Sequence, residues 1–171
     1  SSSGSETSLT ANLTVRLNIV DNINPTTVDY SVTGGTATGG GTDYTLAAGT
    51  ATVLPGNIST IIQIDIVNDD IFENDETIIV TLSNPANANL GANTIHTYTI
   101  VNDDTKPELV FEIPASSASE DIGSTDIKAI LTSPTGTDIS FDYVDVAGGT
   151  AGSGTDYSIT PSTLTIAAGD T

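Results

Sequence analysis

Cysteine, methionine and tryptophan are all absent from this chain of 171 residues. Without thiols, disulfides and thiolate metal sites are excluded, so oxygen ligation or packing must fasten the fold. Basic residues are nearly missing too, three against 22 acidic ones, and the formal net charge of −19 argues against nucleic acid phosphates or anionic lipid as partners. Cations are the natural partners. No apolar run approaches the roughly 20 residues that span a bilayer. The opening Ser1-Ser2-Ser3-Gly4-Ser5 lacks the basic and apolar regions of a signal peptide, so the segment is expected to be mature or internal, without membrane insertion. Aromatic residues are few, five Tyr and three Phe, which leaves no platforms for a glycosidase cleft. His96 is the single histidine, with nothing to recommend a Ser/His/Asp triad. The chain is not expected to be an enzyme.

What remains is apolar enough to fold. Hydrophobic residues make up 37% of the chain and recur in alternating Thr/Val/Ile runs, which argues against disorder. Leu13, Val15, Leu17 and Ile19 alternate with polar residues, as do Ile62, Ile64 and Ile66, and then Ile78, Val80 and Leu82. Each run predicts a strand with one buried face. Turns are predicted at Asn24-Pro25, Gly34-Gly35, Gly39-Gly40-Gly41, Pro55-Gly56-Asn57 and Asn84-Pro85. Seven or so short strands in about 100 residues, with no helical periodicity, predict an all-β antiparallel sandwich.

The sequence also repeats itself. Gly34-Gly35-Thr36-Ala37 and Thr42-Asp43-Tyr44 recur as Gly148-Gly149-Thr150-Ala151 and Thr155-Asp156-Tyr157, at an offset of 113 to 114 residues. The same offset sets Glu6 on Glu120, Leu13, Val15 and Leu17 on Ile127, Ala129 and Leu131, and Pro55-Gly56-Asn57 on Ala168-Gly169-Asp170. Two tandem repeats are expected, 1–104 and 105–171, joined by the short linker Thr105-Lys106-Pro107. The first lacks a counterpart of the strand predicted over 109–113. The second stops where the first begins its 62–66 strand, as a window on a longer array would.

The densest chemical feature is Asn68-Asp69-Asp70-Ile71-Phe72-Glu73-Asn74-Asp75-Glu76, with five carboxylates in eight residues at the junction of two strands. An arbitrary acidic run is most often a solvated loop. Here Asn102-Asp103-Asp104 closes the last strand of the repeat, and a sandwich can bring both segments, with Glu6, to one pole. Ca²⁺ takes six to eight oxygens at about 2.3–2.6 Å and turns such repulsion into a shared shell, whereas Mg²⁺ demands stricter geometry.

These motifs together resemble the Calx-β domain: Gly-Thr-Ala at 35–37, Gly-Thr-Asp-Tyr at 41–44, Pro-Gly-Asn at 55–57, the acidic run 68–77, Val-Thr-Leu-Ser-Asn at 80–84 and Thr-Ile-Val-Asn-Asp-Asp at 99–104. The resemblance covers the first repeat and the opening two thirds of the second. It implies tandem immunoglobulin-like antiparallel β-sandwiches that bind Ca²⁺ at one pole. By motif it implies Glu6, Asp69, Asp70, Glu73, Glu76, Asp103 and Asp104 as ligands, with Asp75 weaker as an outward-facing residue, Glu120 as the match of Glu6, and Asp121 as a further candidate. Gly34, Asn68 and Asn102 stand where that pattern has aspartate, which implies fewer ions or lower affinity.

The remaining motifs receive structural readings. Asp43 and Asp156 are expected to cap turn amides, and His96 to be a satisfied structural histidine on the face of Tyr98 and Ile100. Asn12-Leu13-Thr14 and Asn57-Ile58-Ser59 are sequons that matter only in a glycosylating host. Asp145 lies near the position of Gly148, and Glu108 and Glu112 could reach a calcium at the first pole and stiffen the tandem.

An acidic, cysteine-free, Thr/Asn/Gly-rich composition suits a microbial cell surface. The expected role is therefore an extracellular structural repeat of an adhesin or filament, rigidified by calcium and partnered by neighbouring repeats or copies of itself, with edge strands open to exchange. Two alternatives stand beside it: a module recognising a glycan or surface protein, and a calcium-sensing regulatory domain.

Overall fold

Alternating Thr and Ile residues form strands here wherever one face finds an apolar partner, and the first half of the chain supplies two such faces. The computed structural model describes residues 1–146 and 148–171. The chain divides into two compact units, Ser1–Asp69 with Asn74–Asp103, and Asp70–Glu73 with Asp104–Thr171.

In the first unit the strands run β1 (Ser2–Ser5), β2 (Thr10–Arg16), β3 (Thr26–Gly35), β4 (Tyr44–Thr45), β5 (Gly49–Val53), β6 (Ser59–Ile66), β7 (Glu76–Ala86) and β8 (Ile95–Val101). One sheet has the order β1-β8-β7-β3-β5 and the other β2-β6-β4. Their inner faces share one core: Ala11, Leu13, Tyr44, Ile62, Ile64 and Ile66 meet Val28, Ala51, Ile78, Val80, Tyr98 and Ile100. This is the expected β-sandwich. The period-two rule holds residue by residue in β6, where Ile64 is fully buried while Ile61 on the outer face is 60% exposed.

Several boundaries differ from the sequence expectation. β2 stops at Arg16 because its partner β6 begins only at Ser59, after the Pro55-Gly56 turn. Ile19 is therefore 73% exposed instead of core-facing. It lies in a loop organised by Asp21, whose carboxylate accepts from the amides of Ile23 and Asn24 and from Asn87 Nδ2 at 2.7–2.9 Å. These donors, the Asn24 amide foremost, lower its pKa to about 2.

Gly34-Gly35 is not a turn but the end of β3. Gly35 has φ +120, and a Cβ there would collide with the carbonyl of Thr77, the oxygen that accepts from the Thr36 and Ala37 amides. Asn84-Pro85 likewise lies inside β7, where the shift of register opposite Thr27 and Asp29 accommodates a residue without an N–H. The antiparallel rule is broken at the edge of the larger sheet, where β1 joins β8 in parallel, Ser2 opposite Tyr98 through Ser5 opposite Val101.

β1 carries only serine and glycine. It buries no apolar side chain against the roughly 1–2 kcal/mol that ordering each residue costs, and a net hydrogen bond returns only about 1 kcal/mol. Its attachment is intrinsically marginal.

The second unit contains β9 (Leu109–Phe111), β10 (Ala129–Leu131), β11 (Ile139–Tyr143) and β12 (Ser162–Ile166). β9 pairs with β10, and β11 with β12. The repeat is legible in the register: β3 and β5 pair Thr26 with Val53 and Tyr30 with Gly49, and their counterparts pair Ile139 with Ile166 and Tyr143 with Ser162. Gly148, which follows Tyr143 by the same five residues as Gly35 follows Tyr30, has φ +121, and Gly56 and Gly169 both have φ +83. Phe72 bridges Thr135 in this unit, its carbonyl accepting from Gly136 N at 3.0 Å. Among its described residues Leu131 is the one buried apolar side chain, and Phe111, Ile127 and Val144 are all more than half exposed. Ile127 thus lies outside the strand expected to carry it.

Replacing Ile64 by Ala is expected to cost about 2–5 kcal/mol of the first unit's stability, whereas Ile61→Ala on the same strand should change it by under about 1 kcal/mol. Denaturant unfolding of the two variants checks this, and equal losses would contradict the facing of β6.

Candidate metal centre

The acidic run begins where β6 runs out of partners. After Ile66, the amide of Val67 donates to the carbonyl of Asp43 at 2.9 Å, and Asn68 Nδ2 donates to the carbonyl of Asp69 at 3.3 Å. The chain re-enters the sheet at Glu76, opposite Ile100 of β8. Just before it, Asp75 Oδ1 accepts from the amide of Asn102 at 3.2 Å, which ties the acidic run to the closing strand. Asp75 is exposed, and its visible task is positional.

Glu6 arrives from the other side. Ser5 caps the short 3-10 turn Glu6–Ser8, and Leu9 ends it with φ 51. The amide of Ile66 donates to the carbonyl of Leu9 at 2.8 Å, so the turn sits beside the start of the acidic run. Glu6 is 93% buried by this arrangement, being only 7% exposed, an unusual place for a carboxylate.

Two groups of carboxylates result, Glu6 with Asp69 and Asp104, and Asp43 with Glu73 and Glu76, and within each the nearest oxygens lie within 4.8 Å of one another. Two oxygens bound to one ion at about 2.4 Å can be at most about 4.8 Å apart, so both groups satisfy the spacing that a shared Ca²⁺ requires. The donors are oxygens throughout, suited to a hard cation and unsuited to a soft one.

Of the residues expected as ligands, Glu6, Asp69, Asp104, Glu73 and Glu76 fall into these groups. Asp70 and Asp103 are exposed and belong to neither, and Asp103 Oδ2 accepts from Ser5 Oγ at 3.0 Å. Glu120 and Asp121 are exposed in a matching 3-10 turn, Glu120–Ile122, and join no such group among the described residues.

Asp43 is the residue that the sequence reading assigned only to a turn. That cap exists, since Asp43 Oδ2 accepts from the amide of Thr38, just as Asp156 Oδ2 accepts from that of Gly152 at 2.7 Å. The carboxylate also faces Glu73 and Glu76. A signal was available in the sequence, because a short strand following directly on the Gly39-Gly40-Gly41 turn can pair with the end of β6, where the acidic run starts.

Other candidates have settled partners. Asp145 accepts from the hydroxyl of Tyr157, a bond that raises the tyrosine pKa. Glu112 pairs with Lys128 at 3.0 Å on an exposed surface, where such pairs contribute little. His96 Nε2 lies 2.8 Å from Ser2 Oγ, and partial burial lowers its pKa.

Comparison with known proteins gives these features a context. The Calx-beta domain family matches residues 1–105 and again 102–171. Sodium/calcium exchanger 1 of Canis lupus familiaris is 33% identical over an alignment 166 residues long that covers 84% of this chain and 17% of the exchanger. The chain thus spans about a sixth of the length of that relative. Among solved structures, CBD12 from CALX1.2 has a TM-score of 0.55 at 24% identity, covering 98% of this chain and 67% of that one. The apo-form Calx CBD1 domain has a TM-score of 0.51 at 29% identity, covering 60% and 89%.

These findings overturn the expected extracellular adhesin repeat and its cell-surface location, because the relatives are ion exchangers and Calx domains. The physical reason is that acidity and lack of cysteine report the ligand chemistry, not the compartment. A cysteine-free chain is equally at home where thiols stay reduced. The filament and the glycan or surface-protein ligand gain no support from these relatives.

Neutralising a grouped carboxylate, Glu6→Gln or Glu76→Gln, is expected to weaken Ca²⁺ binding by about 10–100-fold or more, and Asp70→Asn by under about threefold. Terbium luminescence with calcium competition measures both, and a ranking in the reverse order would contradict the grouping.

Proposed function

The chain belongs to the Calx-beta domain family, and from that premise we propose that it is a calcium-sensing regulatory segment of a larger ion-transport protein. The observation that carries this reading is the pair of carboxylate groups at the closing end of β8 and the start of the acidic run. Glu6, Asp43, Asp69, Glu73, Glu76 and Asp104 are the proposed ligands of Ca²⁺. Asp70 and Asp103, at the exposed edge, are proposed to raise the local negative potential that draws the ion in.

Sensing requires a site that is empty at one calcium level and filled at another. Sensor sites have Kd values of about 10⁻⁷–10⁻⁵ M, whereas extracellular modules work at about 10⁻⁴–10⁻³ M. A regulatory site of the first kind would be permanently saturated outside the cell. An intracellular placement is therefore the one in which this function operates, and the exchanger relatives favour it.

The work done by the segment is binding and conformational change rather than catalysis. The two matches of the family along the chain support a division into repeats at 1–104 and 105–171, with each repeat the partner of its neighbour.

Calorimetric titration of the chain with calcium is expected to give a Kd of about 10⁻⁷–10⁻⁵ M, with Mg²⁺ at least about tenfold weaker. A calcium Kd above about 10⁻⁴ M, or equal affinity for the two ions, would exclude sensing.

A further inference from the structure

We infer that Ser5 is a positioning residue that couples ion binding to the docking of β1, so that occupancy of the acidic end is felt at His96. The inference rests on the calcium reading above and adds a route by which the bound state is registered along the sheet.

Among the described residues β1 borders β8 alone, and it contributes no apolar side chain to the core. It lies close because position 4 is glycine, since a Cβ there would collide with the Tyr98 hydroxyl. Besides the ladder, side chains fasten it at its two ends. At the start, Ser2 Oγ and His96 Nε2 are 2.8 Å apart. At the finish, Ser5 Oγ donates to Asp103 Oδ2 at 3.0 Å, and with its one hydrogen so engaged it accepts from the hydroxyl of Thr7 at 2.8 Å and the amide of Thr7 at 3.3 Å.

Ser5 therefore joins three things. It ends β1, it caps the turn that carries Glu6, and it holds a carboxylate of the closing segment. The other side of the turn is fixed through Leu9 to Ile66, so movement of Glu6 has to be taken up on the β1 side. If β1 leaves β8, Glu6 loses its place beside Asp69 and Asp104. By linkage, an ion bound with Glu6 in place holds β1 down to the same extent that docked β1 favours the ion. A strand of small polar residues with a marginal hold is suited to respond.

The test uses the whole chain, isotopically labelled, at a fixed pH well above the range in which histidine titrates. Hydrogen exchange at the β1 amides and the ring resonances of His96 are recorded in chelator and in calcium chloride, with calorimetry in parallel. Calcium should slow β1 exchange by roughly 5–150-fold and move the His96 resonances, which are remote from the carboxylates. Ser5→Ala should bind calcium about five- to tenfold more weakly and lose most of the His96 response, while Ser5→Thr, which keeps the hydroxyl, should restore both. Calcium binding to the unaltered chain with β1 exchange and His96 unchanged would overturn the inference and leave the calcium reading standing. So would wild-type affinity together with a full His96 response in Ser5→Ala. No calcium binding to the unaltered chain would remove both.

Discussion

Like charges held close together dominate this molecule. Three carboxylate oxygens within 4.8 Å of one another repel by about 3 kcal/mol per ionised pair at an effective dielectric constant of about 20. The chain offers almost no cations of its own, three basic residues against 22 acidic ones. A divalent ion is the simplest agent that relieves such repulsion, and monovalent salt only screens it. Carboxylates gathered this closely therefore amount to a demand for a cation.

That gathering depends on the rigid core. Ile62, Ile64 and Ile66 on one sheet and Ile78, Val80, Tyr98 and Ile100 on the other fix where β6 ends, where β7 begins and where β8 closes. The acidic residues sit just beyond those ends, on segments that depart from the ladders. Asp75 and Ser5 carry the positions of the strands into these segments through hydrogen bonds to Asn102 and Asp103. The ligand groups are thus placed by packing and adjusted by a few polar contacts, an arrangement in which occupancy can alter local order without disturbing the core.

How much of this could be read from the sequence follows from the range of each signal. Strand faces were legible because period-two burial is local, as in β6. The repeat was legible because identical turn motifs recur, and the structure carries it down to the pairing register of β11 with β12. The acidic run and its closing partner were legible as charge density. The end of β2 was not, because it depends on where β6 starts. Nor was the second role of Asp43, because a turn cap and a ligand share one side chain and only the contact with Glu73 and Glu76 distinguishes them. Gly34-Gly35 and Asn84-Pro85 look like turns by composition and lie in strands because β3 and β7 shift register around them. The compartment was not written in the composition at all.

The central claim is that chelation, rather than screening, relieves the acidic end. Thermal unfolding of the whole chain in excess chelator, in saturating calcium, and in sodium chloride of matched ionic strength tests it directly. Calcium at about a thousandfold its Kd should add about 4 kcal/mol to the stability of the bound unit and raise its melting temperature by several degrees, with little change from sodium. Melting curves that coincide in calcium and chelator, or that sodium shifts as far as calcium does, would contradict the account.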